Sequence, residues 1–328
     1  MLVRCLASAT GVRGLAVGFA LLAAWPAAGQ ETRDSDFTEL ERQPGLLEHV
    51  RMRGTAYNRF VGPADFGAFE ASSNQPEARV RIDVPVAENA GFRLQGTGRM
   101  ILYDFTGTSS LAGAPPGEAP FRDLYSWDTR IQGVYLLDEE FTLISEDERW
   151  ALLAQAGAGA DWEESSNMAE ALRPNGGVAI GYRWSNRLEL AVGLTLGQDL
   201  LDGGLNVGPL IEFDWRITNH WTVRSYGLGL QVERRINEAW TLFAQGRLEG
   251  RSFRLADRGA GIGKGALHLD QLPVGIGAQW KTGHLRVRAL IGGMFLQKIE
   301  LEDDNGDRVD RERAPPSPYV TLRFDLRN

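Results

Sequence analysis

A strict alternation of apolar and polar side chains recurs along most of the chain. In the stretch INEAWTLFAQGRLEG at 236–250, every second residue from Trp240 to Leu248 is apolar or glycine, whereas Gln245 and Arg247 occupy the positions between. Successive side chains of an extended chain point to opposite faces, so a period of two predicts a β-strand. The question is whether the two faces meet a protein core and water, or lipid and a polar lumen.

The alternation predicts about fourteen strands, an even number that places both ends of a barrel on the same side. Twelve strands is the alternative, because 221–226 and 229–236 are short for spanning strands and 138–149 is poorly patterned. The predicted strands are centred on residues 50–60, 78–86, 92–103, 123–137, 150–161, 176–184, 188–198, 205–217, 221–226, 229–236, 240–252, 271–281, 285–297 and 318–327.

Two kinds of connection separate these strands. Tight polar turns run directly into Trp, Leu or Phe, as in the segments EDERWAL, SNRLEL, TNHWTV, NEAWTL, TGHLRV and ENAGFRL. Longer, irregular connections are predicted at 61–77, 106–122, 162–174, 257–267 and 301–316. Short turns at one end and long loops at the other are typical of outer-membrane barrels.

One face of the predicted strands is apolar enough to contact lipid. It is nearly free of charge, and tryptophans gather where strands meet the tight turns, as an interfacial girdle requires. The apolar positions include Val80, Ile82, Val84, Val86, Leu188, Leu190, Val192, Leu194, Leu196, Val207, Ile211, Phe213, Trp215, Ile276, Trp280, Val320, Leu322, Phe324 and Leu326. The predicted fold class is therefore all-β, a transmembrane up-and-down antiparallel β-barrel.

The N-terminus has the order of a secretory signal peptide. Arg4 and Arg13 form a basic region, an apolar run follows, and small residues precede Gln30. We expect a signal peptide over 1–29, a short periplasmic tail over 30–47 and the barrel over 48–328. No apolar run after the signal reaches the length of a transmembrane helix. The expected localisation is the bacterial outer membrane, reached by export.

The other face of the strands is polar and rich in arginine. A positive potential along a narrow pore favours anions, although the same arginines could brace the wall by pairing with neighbouring carboxylates. The candidate lumen-lining residues are Arg51, Arg53, Arg79, Arg81, Arg93, Arg99, Arg130, Arg187, Glu212, Arg247, Glu249, Arg251, Arg286, Arg288 and Arg323. Phe243 stands among them, and nothing in the sequence explains why.

The leading functional hypothesis is a passive channel for small, preferably anionic solutes. The alternatives are a structural or surface-interaction barrel with a closed lumen and, more remotely, a hydrolase with His268 near Asp257 and Asp270. No catalytic, metal-binding or cofactor-binding set emerges from the residue spacing, so we expect no enzyme activity. The net charge of −8 argues against a nucleic-acid partner.

The run at 214–255, DWRITNHWTVRSYGLGLQVERRINEAWTLFAQGRLEGRSFRL, resembles an uncharacterised, domain-of-unknown-function family of Gram-negative outer-membrane β-barrel proteins. A Trp-led turn precedes a short strand pair, and a second turn leads a long strand ending at Phe253-Arg254-Leu255. The resemblance implies a barrel and no known substrate. The C-terminal segment YVTLRFDLRN is similar to the assembly signal of such barrels, except that Phe324 is not terminal. Expected partners are outer-membrane lipid, lipopolysaccharide, the barrel-assembly machinery and small, anionic solutes.

Overall fold

The computed structural model describes residues 50–67, 69–87, 89–106, 121–137, 149–185, 187–201, 203–257 and 263–327. The signal peptide expected at 1–29 and the tail expected at 30–47 lie outside the described residues. The strands are β1 (Arg51–Asp65), β2 (Glu70–Ala87), β3 (Ala90–Thr106), β4 (Leu124–Leu136), β5 (Arg149–Glu163), β6 (Leu172–Ser185), β7 (Leu188–Gln198), β8 (Leu205–Arg216), β9 (Trp221–Tyr226), β10 (Gly229–Arg235), β11 (Trp240–Arg247), β12 (Glu249–Arg254), β13 (Ala266–Thr282), β14 (Leu285–Glu302), β15 (Arg308–Ala314) and β16 (Ser317–Arg327). A 3-10 turn, Met168–Ala171, precedes β6. Within the described part of the chain there is no helix with the length and apolarity needed to cross a membrane.

The sixteen segments form one sheet that closes on itself. Neighbouring strands pair antiparallel from β1 to β11, and β13, β14 and β16 complete the ring by returning to β1. β11 and β12 both pair with β13, so they are two segments of one interrupted strand. β15 and β16 both pair with β14 and are two segments of another. The barrel therefore has fourteen strands, which confirms the predicted number and excludes twelve.

The predicted apolar face is the exposed face of the barrel. Ile276 is 64% exposed, and the apolar residues at alternate positions of β7, β8 and β16 are exposed as well. At the end with tight turns, here called the short-turn end, Trp240 lies directly opposite Trp280. The turn after β13 is possible because Gly283 adopts a φ of +47°, which favours glycine. The opposite end is called the long-connection end.

Several strands extend further than the sequence predicted. Residues 61–77, expected to be a loop, belong mostly to β1 and β2, and 301–316 contains β15. Spanning requires about 9–11 residues, whereas β2 and β14 each have 18. The polar residues of these extensions hid the strands from a pattern search, because above the bilayer neither face needs to be apolar.

The wall is incomplete on one side. β8 pairs with β7 from Leu188↔Trp215 to Gln198↔Leu205, but with β9 only from Asp214↔Arg224 to Arg216↔Thr222. The hairpin of β9 and β10 ends at Gly227, and the Leu248 amide donates to the Leu228 carbonyl beside it. Above this hairpin, the upper half of β8 has no paired neighbour on that side within the described residues. We call this stretch the wall break.

The interior of the long-connection half is filled. β12 leaves the line of the wall and reaches β5, where Arg254 pairs with Trp162. Beneath it lies an apolar cluster, here called the upper core. Its buried members are Ala64, Phe66, Phe69, Ala71, Ile101, Phe121, Leu124, Phe253, Leu255, Leu267, Leu269, Ile299 and Leu301. The upper core therefore joins β1–β4 to β12–β14 across the interior.

Candidate solute path in the barrel interior

Arginines of β1–β4 form one wall of the interior and bind neighbouring groups. Arg93 is fully buried and donates to Asp83 at 2.6 Å. Arg130 donates to Asp128 at 3.2 Å. These side chains point inward because they occupy alternate positions of strands whose other face is exposed. The bracing expected as an alternative role for these arginines is therefore present in this wall.

Further predicted lining residues also bind neighbours in this wall. Arg81 donates to Gln95 at 3.1 Å, and Arg79 and Arg99 both bind Glu77. Glu77 thus holds two guanidinium groups. Arg51 lies at the start of β1.

A polar clasp holds β12 across the interior. Glu249 accepts hydrogen bonds from both terminal nitrogens of Arg59 on β1, each at 2.8 Å. Arg251 donates to the Ser126 hydroxyl at 2.9 Å. Arg173 on β6 donates to the Ser252 carbonyl at 3.2 Å. The sequence search missed Arg173, because 162–174 was expected to be a loop.

Like charges of both signs face each other at several places on the inner wall, as Glu189 and Asp214 do. Arg53 lies directly opposite Arg81, and Arg288 lies directly opposite Arg323. Like charges in such cross-strand positions destabilise a sheet. Arg323 binds Asp325 at 2.9 Å, whereas Arg288 has no carboxylate within 4.0 Å among the residues that the structure describes.

The remaining candidates fall into two groups. Arg247 stacks over the Tyr226 ring at 5.6 Å, Arg286 lies opposite Asp325, and Glu212 is buried on the inner face of β8. Arg187 is different: it lies in the turn before β7 and is exposed. Its placement on the lining was wrong, because β7 begins only at Leu188.

An apolar patch lies on the inner side of β4–β8, beside the buried acids Glu189 and Glu212. The inward positions of β4–β8 near the short-turn end are small or aliphatic and form one buried cluster. Its members are Val134, Ala151, Leu153, Ala179, Ala191 and Leu210. Leu210 lies on β8, beside the wall break. The interior thus combines a wall of arginines and their acidic partners with an apolar patch on the other side.

Phe243 points inward and packs with other apolar side chains. It belongs to a buried cluster with Val61, Leu290, Met294 and Tyr319. Gly277 lies directly opposite, where a Cβ atom would come within 2.6 Å of the Phe243 ring. The Arg288 guanidinium carbon lies 4.2 Å from the centre of that ring. Phe243 therefore supports a lumen arginine.

His268, the histidine of the hydrolase alternative, is a residue of β13. Its Nδ1 lies 2.7 Å from the Ser252 hydroxyl, and its Nε2 lies 2.8 Å from a Glu302 carboxylate oxygen. Asp270 instead binds Lys298 at 3.4 Å. Ser252, His268 and Glu302 thus link β12, β13 and β14, and Ser252 is buried.

Comparisons with solved structures return outer-membrane proteins of low sequence identity. The COG4313 outer membrane channel from Pseudomonas putida F1 is 9% identical, with 87% of this chain and 99% of that chain covered and a TM-score of 0.45. The P. putida toluene transporter TodX is 9% identical over 90% and 92% of the two chains, with a TM-score of 0.43. A Pseudomonas aeruginosa FadL homologue is 11% identical over 84% and 89%, with a TM-score of 0.41.

A search of curated proteins finds no match. One family model does match, that of the domain of unknown function DUF6268, over residues 144–325. This match covers more than half of the chain and includes the run at 214–255 on which the sequence resemblance rests. The chain belongs to the DUF6268 family of domains of unknown function.

Proposed function

We propose that the protein is a passive channel for small solutes in the outer membrane and that its interior favours anions. Arg288 carries this proposal, because it lies opposite Arg323 and has no carboxylate within 4.0 Å among the described residues. A lumen with a positive surplus raises the local concentration of anions. We place the short-turn end at the periplasm, because export by the signal peptide would leave both chain ends there.

The proposed path bends, because the upper core joins β1–β4 to β12–β14 across the interior at the long-connection end. The free edge of β8 supports an outlet at the wall break. Unpaired backbone groups cannot face lipid tails without a partner, so water from the interior would have to reach this edge. Small organic anions with an apolar part suit a path that has arginines on one wall and aliphatic side chains on the other.

A second candidate function is a structural barrel with a closed interior. The upper core and the clasp between Arg59 and Glu249 favour it. This candidate predicts a folded barrel that passes no solute, so a flux measurement separates the two.

The test is efflux of tracers from liposomes that contain the purified protein. We expect benzenesulfonate to leave faster than arabinose, and arabinose faster than choline. Efflux no faster than from empty liposomes would contradict the channel and support the closed barrel. Preference for choline would contradict the role of the arginines.

Two cysteine variants on β7 test the position of the proposed path. Thr195 faces inward on β7 near the wall break, whereas Leu194 faces lipid. We expect a bulky thiol reagent to slow efflux in Thr195→Cys and leave it unchanged in Leu194→Cys. The single cysteine of the sequence, Cys5, lies in the expected signal peptide.

A further inference from the structure

Arg288 occupies an unusual position near the short-turn end of the interior. Its guanidinium group lies on the face of the Phe243 ring, with 4.2 Å between guanidinium carbon and ring centre. Its Nη2 donates to the Gln231 side-chain oxygen at 2.9 Å. Gln231 lies on β10, so Arg288 reaches from β14 across two strands. Stacking and hydrogen bonding together fix the plane of the guanidinium group.

No carboxylate lies within 4.0 Å of the Arg288 guanidinium among the residues that the structure describes. The two nearby acids already have partners. Glu233 accepts a hydrogen bond from the Gln231 amide nitrogen and binds Arg224 at 3.0 Å. The Gln231 amide therefore stands between Arg288 and Glu233, with its oxygen toward the arginine and its nitrogen toward the acid.

The second acid is bound on the other side. Asp325 accepts from Arg323 at 2.9 Å and from the Thr55 hydroxyl at 2.7 Å. Arg323 is the residue directly opposite Arg288, and about a third of its side chain is exposed. Arg288 is thus a cation without a carboxylate partner among the described residues, beside a second arginine and three residues from the start of β14 at the short-turn end.

We propose that Arg288, with Arg323 beside it, binds the carboxylate group of the solute that the channel takes. The inference rests on the proposed function and names its ligand class. An arginine fork matches a carboxylate in two parallel hydrogen bonds, and only Nη2 of Arg288 is already used within the described residues. The Gln231 amide separates Arg288 from the Glu233 carboxylate. The Phe243 ring holds the Arg288 guanidinium group in place.

Two substitutions test the site from opposite directions. Arg288→Gln removes the cation, and Gln231→Glu places a carboxylate where the amide now accepts from Arg288. Both should weaken binding of an external carboxylate. The matched control is Arg183→Gln, which also removes an interior cation, but one that is paired with Glu189 at 3.0 Å.

Binding is measured by ¹⁹F NMR titration of 4-fluorobenzoate into purified barrel in detergent micelles. We expect the Kd to rise about tenfold or more in Arg288→Gln and in Gln231→Glu, since a charge-assisted bidentate contact contributes on that order. Arg183→Gln should change the Kd less than about twofold. Each variant is first checked for the folded barrel by heat-dependent migration in gel electrophoresis.

An unchanged Kd in a folded Arg288→Gln barrel would overturn the site, as would wild-type protein that does not bind the probe. The titration needs no conduction, so its outcome is separate from that of the efflux test. Binding that depends on Arg288 without efflux would keep the site and reject the channel. Efflux together with binding that does not depend on Arg288 would keep the channel and reject the site.

Discussion

The clasp between Arg59 and Glu249 is the strongest single tie between β12 and the opposite wall. Both oxygens of Glu249 accept from Arg59 at 2.8 Å, and Arg59 also donates to the Tyr57 hydroxyl at 2.8 Å. The side chains of Arg59 and Glu249 are 9% and 15% exposed. Replacing Glu249 by Gln keeps the shape but leaves the Arg59 cation buried without its carboxylate.

The expected loss in the free energy of unfolding depends on how deeply the pair is buried and not on the distance between its charged atoms. Removing one partner of a buried pair costs roughly 3–5 kcal/mol, because the other charge stays in a medium of low polarity. Replacing both partners, as in Arg59→Met with Glu249→Leu, should cost less than the single change. Lys264 and Glu170 provide the contrast: they are also 2.8 Å apart, but their side chains are 50% and 36% exposed.

The assay is unfolding in guanidinium chloride with phospholipid vesicles, followed by tryptophan fluorescence. We expect a large drop in the free energy of unfolding for Glu249→Gln, a smaller drop for the double variant, and an unchanged midpoint for Lys264→Met, because solvent screens exposed pairs. Equal shifts for Glu249→Gln and Lys264→Met would refute the reasoning. A double variant less stable than Glu249→Gln would refute it too.

Three further predictions concern the wall and the chain start. Ile276→Arg should impair assembly, since a charge in the middle of the bilayer costs about 2–4 kcal/mol, while Gln245→Ala should assemble normally in the same gel-shift assay. Gly277→Val should prevent folding, because its Cβ would lie 2.3 Å from the Ala289 carbonyl, whereas Gly54→Ala, with nothing within 4 Å, should not. Mass spectrometry of the exported protein should find Gln30 at its N-terminus; a chain that retains Met1 would contradict the signal peptide.

The strand number and facing could be predicted from the sequence because lipid imposes a strict rule on one face. Leu190, Ile211 and Leu322 had to be outside, and their alternate neighbours then had to be inside. The tight turns were equally visible, because polar residues lead directly into Trp221, Trp240 or Leu285.

The interior contacts could not be predicted in the same way. The tie between Arg59 and Glu249 joins residues 190 positions apart, and no local pattern encodes it. The displacement of β12 depends on how Phe253 and Leu255 pack in the upper core. The isolation of Arg288 depends on which way the Gln231 amide points, a property of the folded interior alone.

The ion selectivity of single channels tests the central claim most directly. Purified protein in a planar bilayer, with a potassium chloride gradient across it, gives a reversal potential. The proposed arginine-rich interior, with Arg288 at its short-turn end, predicts a reversal potential shifted toward the equilibrium potential of chloride. A reversal potential shifted toward the equilibrium potential of potassium would contradict the account. So would the absence of conductance from correctly folded protein.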